Sequence, residues 1–301
     1  MIYALLLLAG LAQAQLQSPQ QLDITEFSGG LNTYQSPLRI APSQSQQAQN
    51  VLFDKTGSVD RRQGATRINS TAIGGGITDV NAVYQLEQSG GTKYCVAFSS
   101  TNGYYSTDAC QTFTSFVSTL TRNNDVNCAP YNDNLYCVNN QYNFYFQGTA
   151  SILNSQMPAN MKYIRVHRNR CWAAGGSATP SRLFYSPIGD CLTYNTGTDY
   201  IDLATNDGDV ITGIGPTLFD MLVIYKNYST WALKGVDNNS FVLANISKDT
   251  GAKNHRTIQN FGSIQLFDSL GPNGGQPGIY GFNGIVIQEL SKNLRGDLDL
   301  I

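Results

Sequence analysis

Histidine is almost missing from this chain, with His167 and His255 alone among 301 residues, and glutamate is nearly as scarce, at Glu26, Glu87 and Glu289. A hydrolase triad has no Gly-x-Ser-x-Gly elbow to build on. A glycosidase needs two carboxylates at a fixed separation, and no pair of aspartates stands out to supply them. The net charge is −2 and no basic run exceeds Arg61-Arg62. A grip on nucleic acid through its phosphates is therefore not expected, although a near-neutral wall lets a polyanion slide past. None of the six cysteines sits in a CxxC or Cys/His zinc spacing, so no metal and no cofactor is expected. No apolar run approaches the roughly 20 residues that span a bilayer. Helical periodicity is missing as well.

What is present is a series of short runs of β-branched and aromatic residues cut by Gly, Pro, Asn and Asp. From Tyr163 they read Tyr163-Ile164-Arg165-Val166, Arg170-Cys171-Trp172-Ala173-Ala174-Gly175, Arg182-Leu183-Phe184-Tyr185-Ser186, Met221-Leu222-Val223-Ile224-Tyr225-Lys226 and Ser229-Thr230-Trp231-Ala232-Leu233-Lys234. Such runs predict an all-β chain. With 41% hydrophobic and only 13% charged residues there is enough apolar material for a core. Similar phrases also recur: Asn134-Leu135-Tyr136-Cys137-Val138-Asn139-Asn140, Arg170 to Gly175, Met221 to Asn227, and Gly278-Ile279-Tyr280-Gly281-Phe282-Asn283-Gly284. Their spacing brackets the roughly 40–50 residues of a four-stranded blade, and the expected fold is a β-propeller. Gly278 to Asn293 falls in the last blade with little chain behind it, so the ring is expected to be open or incomplete.

Three regions are expected: an apolar leader over 1–14, an extended docking segment over 15–75, and blades over 76–301. The leader carries Ala4 to Ala12 and an Ala12-Gln13-Ala14 cleavage pattern but no basic n-region, the first charge being Asp23. It reads either as a signal peptide or as an apolar leader without export. In the second region Gly29-Gly30 frees the backbone for a bend, and Asp54-Lys55-Thr56-Gly57 turns a hairpin between Val51-Leu52-Phe53 and Ser58-Val59-Asp60. Ala41 to Asn50 reads as one short helix or a loop. Four Asn-x-Ser/Thr sequons, at Asn69, Asn227, Asn238 and Asn245, are as many as chance supplies in so polar a chain.

The six cysteines, Cys95, Cys110, Cys128, Cys137, Cys171 and Cys191, are too sparse for a disulfide scaffold. With Tyr131-Asn132-Asp133-Asn134 as a hairpin loop, Cys128 comes to lie opposite Cys137, within bonding range. The same register places neither Cys95 opposite Cys110 nor Cys171 opposite Cys191. If any disulfide forms, Cys128–Cys137 is thus the one expected.

Phe27-Ser28-Gly29-Gly30-Leu31-Asn32-Thr33, then Ser36-Pro37, then Asn50-Val51-Leu52-Phe53-Asp54 running to Arg62-Gln63-Gly64, resembles the N-terminal signature of tail nozzle and packaged-DNA-stabilisation proteins of short-tailed bacteriophages. Leu183 to Asp190, Asp207-Gly208-Asp209-Val210-Ile211-Thr212-Gly213, Ser229 to Gly235 and Leu290-Ser291-Lys292-Asn293-Leu294 continue the resemblance. It implies a virion structural protein without enzymatic activity. Such a subunit would form an oligomeric ring with other copies of itself, contact neighbouring tail or portal proteins, and retain and pass DNA. The alternative is a secreted carbohydrate-binding propeller, lectin-like or sialidase-like, located outside the cell if 1–14 is exported.

Three smaller features bear on the choice. Ser106-Thr107-Asp108-Ala109-Cys110-Gln111-Thr112-Phe113 resembles the Asp-box turn of sialidase-like propellers, with Cys110 in place of Gly and Phe113 in place of Trp; its role is structural. Asn206-Asp207-Gly208-Asp209 offers oxygens to a Ca²⁺, but lacks a closing acidic residue and reads as a polar turn. Trp172 and Trp231 suit stacking on sugars or, more commonly, blade packing.

Overall fold

The computed structural model describes residues 26–294, apart from 54–56, 70–71, 74–78, 119 and 122–123. The apolar leader and Asp54 to Thr56 of the expected turn lie outside the described residues. The chain divides into two compact units, Met1–Gln63 and Gly64–Ile301.

In the first unit β1 (Gly30–Leu31) pairs in parallel with β2 (Gln44–Ser45), and β3 (Val51–Phe53) pairs antiparallel with β4 (Val59–Arg61). Gly30 takes φ +65°, the left-handed backbone that the bend requires. Ala41 to Asn50 is loop with a short strand inside it, not helix.

The second unit is five successive four-stranded antiparallel sheets, each a meander of neighbouring strands. Blade 1 is β5 (Val80–Glu87), β6 (Lys93–Ser99), β7 (Asn102–Ser106) and β8 (Thr114–Val117). Blade 2 is β9 (Asn127–Tyr131), β10 (Asn134–Val138), β11 (Asn143–Phe146) and β12 (Ser151–Leu153). Blade 3 is β13 (Tyr163–His167), β14 (Arg170–Ala174), β15 (Arg182–Tyr185) and β16 (Tyr200–Asp202). Blade 4 is β17 (Ile211–Ile214), β18 (Leu222–Lys226), β19 (Thr230–Lys234) and β20 (Val242–Ser247). Blade 5 is β21 (Gln259–Phe261), β22 (Ile264–Ser269), β23 (Gly278–Phe282) and β24 (Ile287–Glu289). The all-β propeller expected from the repeats is present.

Side-chain alternation explains why the second strands read as unbroken apolar runs. Successive residues of a strand point to opposite faces, and an interior blade has a neighbour on each. On β10, Leu135 and Cys137 pack with Leu86, Val96 and Phe98 of blade 1, while Tyr136 and Val138 pack with Ile164, Ala173 and Phe184 of blade 3. On β14, Trp172 and Ala174 join Ile214, Leu222 and Ile224 of blade 4. On β18, Val223 and Tyr225 join Phe267, Tyr280 and Phe282 of blade 5. Three of the four recurring phrases are thus second strands, β10, β14 and β18. The fourth, β23, is a third strand, whereas β22 occupies the equivalent place. Both central strands of a blade carry the same apolar run between turn residues, so the pattern alone does not separate them.

One hydrophobic cluster lies between each consecutive pair of blades, and none joins blade 5 to blade 1 among the described residues. Among the described residues no strand of one terminal blade is supplied by the other. The outer faces of the terminal blades expose Val83 (60%) on β5 and Phe261 (76%) on β21.

All six cysteines are paired, each bond within one blade: Cys95–Cys110, Cys128–Cys137 and Cys171–Cys191. The hairpin register puts Cys137 opposite Cys128 as expected. Cys128–Cys137 is not the only bridge, because the other two pairs, though not opposite one another in the register, as expected, are both bonded. In each, one cysteine sits on the second strand and its partner on the loop that leaves the third strand and folds back. Cys95 is opposite Ser106, the last residue before the loop to Cys110. Likewise the Cys171 amide donates to Ser186 Oγ, the start of the loop to Cys191.

Candidate functional site

Each blade's innermost strand begins at the same end of the propeller, so residues far apart in sequence meet there. Tyr84, Asp125, Asn127, Lys162, Tyr163, Arg165, Lys253, Asn254, His255, Arg256 and Gln259 line two adjoining cavities of about 250 and 200 Å³. Both share Tyr84, Asn127, His255 and Arg256.

A series of hydrogen bonds fixes these groups from blade to blade. Tyr84 Oη donates to the Val126 carbonyl at 2.9 Å, joining blades 1 and 2. The Ile164 amide donates to Asn127 Oδ1 at 2.7 Å, joining blades 2 and 3. Arg165 Nε donates to the Ile214 carbonyl at 3.1 Å, joining blades 3 and 4. The Ile214 amide faces His255 Nδ1 at 3.2 Å, joining blade 4 to the lead-in of blade 5. Two further contacts cross the axis from blade 2: Asn127 Nδ2 to His255 Nε2 at 2.7 Å, and Asp125 Oδ1 to Arg256 at 2.9 Å. A bulge between Ile211 and Gly213 admits the His255 turn, and a Cβ on Gly213 would run into Ile258 and the His255 ring.

Burial shapes the charges. His255 is pushed down to about 3 by burial and then by Arg165 and Arg256, so it is a neutral floor at physiological pH. Its Nδ1 accepts from the Ile214 amide, so the single ring proton of the neutral form sits on Nε2, beside the Asn127 side-chain amide. The Tyr163 ring lies 5.0 Å from the His255 ring, and burial followed by Asp125 pushes its phenol up to about 12. Tyr163 therefore stays a donor. Burial likewise lowers Arg165, partly offset by Tyr84.

The features singled out in the sequence lie elsewhere and are structural. Asp108 accepts from the amides of Gln111 and Thr112 and from the hydroxyls of Ser106 and Thr112, an Asp-box turn between β7 and β8. Those bonds hold its carboxyl well below the usual range. Phe113, half-buried, does not enter the blade-interface clusters. Asp207 pairs with the fully buried Lys226, and Asp209 accepts from the amides of Asn227 and Tyr228, so the Asp-Gly-Asp turn serves a lysine. Trp172 is buried in the interface of blades 3 and 4, and Trp231 packs against it with Nε1 donating to Ser229. Trp172 therefore offers no sugar platform, and Trp231 is only partly exposed. His167 is buried on the opposite end of β13, bonded to Thr217.

The basic residues of the site form no run in the sequence. Here Lys162 and Arg165 at the start of β13 converge with Lys253 and Arg256 in the lead-in to β21. The available signal was a polar side chain at or near the start of the inner strands of blades 1, 2, 3 and 5: Asn81, Asn127, Arg165 and Gln259.

No family model and no curated protein matches the sequence. Among the described residues no helix is long and apolar enough to cross a membrane. Solved structures similar to the chain include the extracellular domain of a one-component system of B. thetaiotaomicron, with 10% identity over 70% of this chain and a TM-score of 0.46. The chain spans 28% of the length of that domain. YCF48 bound to D1 peptide is similar at 12% identity, covering 78% of this chain and 72% of the other, with a TM-score of 0.47. The propeller assignment rests on the five meanders and the interfaces between them.

Proposed function

We propose that the chain is an extracellular, non-catalytic binding propeller that holds a small polar ligand where its inner strands begin. The observation that carries this reading is the cavity around Tyr84, Asn127, Arg165 and His255, assembled from several blades by hydrogen bonds. Convergent polar groups in a concave site are what a small-molecule pocket needs. The same bonds favour holding over turnover, because both ring nitrogens of the buried His255 are engaged, by Ile214 and Asn127, and Asp125 is tied to Arg256. Three disulfides support an oxidising compartment, since such bonds rarely persist in a reducing cytosol. With Trp172 buried and the partly buried Trp231 packed against the same cluster, Tyr84 and Tyr163 are the aromatic side chains that line the cavities. Screening the full chain, bridges intact, on a glycan and small-molecule array tests the reading. A ligand that raises the melting temperature supports it; no ligand on the array, together with incorporation into phage particles, overturns it.

A second reading is a subunit of a short phage tail, through which DNA would be retained and passed. It is favoured by the ordered phrases from Phe27 to Leu294 and by the apolar side chains on the outer faces of blades 1 and 5, which suit contact with further copies. Cofractionation of the chain with virions as a ring would establish it.

A further inference from the structure

Charge is unevenly matched around the cavity. Four cations, Lys162, Arg165, Lys253 and Arg256, border it with one carboxylate, Asp125, and Arg256 already takes that carboxylate. Arg165 is the least exposed of the four. Its Nε is spent on the Ile214 carbonyl, and its two terminal nitrogens have no hydrogen bond or ion pair with a described residue. A partly buried guanidinium without a counter-charge is costly, and the geometry of its free edge matches a planar oxyanion. In the same cavity stand the side chains of Asn81 and Gln259, the latter with Nε2 donating to the Arg256 carbonyl, and the Tyr163 phenol lines the adjoining cavity; all are neutral groups suited to hydroxyls.

We propose that the ligand is a small hydroxylated carboxylic acid of the sugar-acid class, its carboxylate taken by the terminal nitrogens of Arg165 and its hydroxyls by Tyr163, Asn81 and Gln259. The proposal rests on the binding reading above and adds the class of ligand. Lys162 and Lys253, exposed at the rim, attract the anion without fixing its orientation. The neutral floor matters for selectivity. His255 gives the carboxylate no competing ion pair, and its ring supports Tyr163 from below.

The test is titration calorimetry on the full chain with glucuronate, glucose and inorganic phosphate. Glucuronate is expected to bind at least tenfold more tightly than glucose or phosphate. Arg165→Gln should lose at least tenfold in affinity for glucuronate with little change for glucose, and Lys162→Gln and Lys253→Gln about twofold to threefold each. Arg165→Lys keeps the charge and lacks the paired donors; a loss near that of Arg165→Gln supports the paired contact even if the glutamine variant folds poorly. Glucose bound as tightly as glucuronate overturns the acid assignment and leaves the binding reading standing. Phosphate bound more tightly than glucuronate overturns the carboxylate. If none of the three binds, the acid assignment falls, and the array described above decides the binding reading separately.

Discussion

Cys137 lies directly opposite Cys128 across the β9–β10 hairpin, their Cα atoms 4.1 Å apart and their sulfurs joined. The bond closes a stretch of 9 residues, against 15 for Cys95–Cys110 and 20 for Cys171–Cys191. Loop-closure entropy assigns each about 3 kcal/mol, rising slowly with loop length. Replacing either longer pair by serines should therefore cost slightly more than replacing Cys128 and Cys137. Urea unfolding of the three double variants checks both magnitude and order.

Asp207 and Lys226 form a pair in which only the lysine is fully buried. The ammonium also donates to the carbonyls of Leu203 and Ala204. Asp207→Asn strands a buried cation and is expected to cost about 3–5 kcal/mol, whereas Lys226→Met removes the cation itself and should cost far less. Burial works to raise the Asp207 carboxyl, but Lys226 and the Asp209 amide outweigh it and hold it below the usual range. The pair's contribution is thus present above about pH 4 and fades as the pH falls through the lowered value. Equal losses in the two variants would contradict this account.

The Asp-box turn predicts a covalent phenotype. Asp108 anchors the loop that delivers Cys110 to Cys95, and Ser106 Oγ accepts from the Cys110 amide at 3.1 Å. Asp108→Ala should leave a fraction of refolded protein with two free thiols, measurable by thiol labelling, while Cys128–Cys137 and Cys171–Cys191 stay closed. Full bridging at the wild-type rate would show that the turn plays no part in placing Cys110.

His167 is pushed down to about 4, first by burial and then by Arg168. The unfolded chain takes up that proton near pH 6.5, the folded chain only near 4, so stability falls as pH drops through that window. The slope from this residue is up to about 1.4 kcal/mol per pH unit. His167→Asn should flatten the dependence of urea midpoint on pH between 6.5 and 4 by that amount. An unchanged slope would mean that His167 is protonated as readily in the fold as outside it.

The parts of the fold legible in the sequence are those governed by a two-residue period. Leu135/Cys137 and Tyr136/Val138 announce a strand with two buried faces, and the same period fixes Cys128 opposite Cys137. Cys110 and Cys191 lie in loops, where no period operates, and their return to the second strand depends on turns such as Ser106 to Thr112. The site escaped for a related reason. Tyr84, Asn127, Arg165 and His255 belong to separate blades, and only the radial arrangement of strand beginnings brings them together. Trp172 and Trp231, conspicuous in the sequence, turned out to mark the interface of blades 3 and 4.

Among the described residues the four hydrophobic clusters couple the blades in order from 1 to 5, with none between 5 and 1, so the apolar packing of this propeller runs as a line rather than a circle. In a closed ring every blade is clamped from two sides and loss is collective; here stability becomes a sum of blade and nearest-neighbour contributions, as in a stacked repeat array. The two ends are then unequal. Blade 1 carries a cross-link, whereas blade 5 leans on one neighbour and holds no cysteine. Fraying begins at blade 5, and with it goes the turn that carries His255, so ligand and terminal blade are expected to stabilise one another.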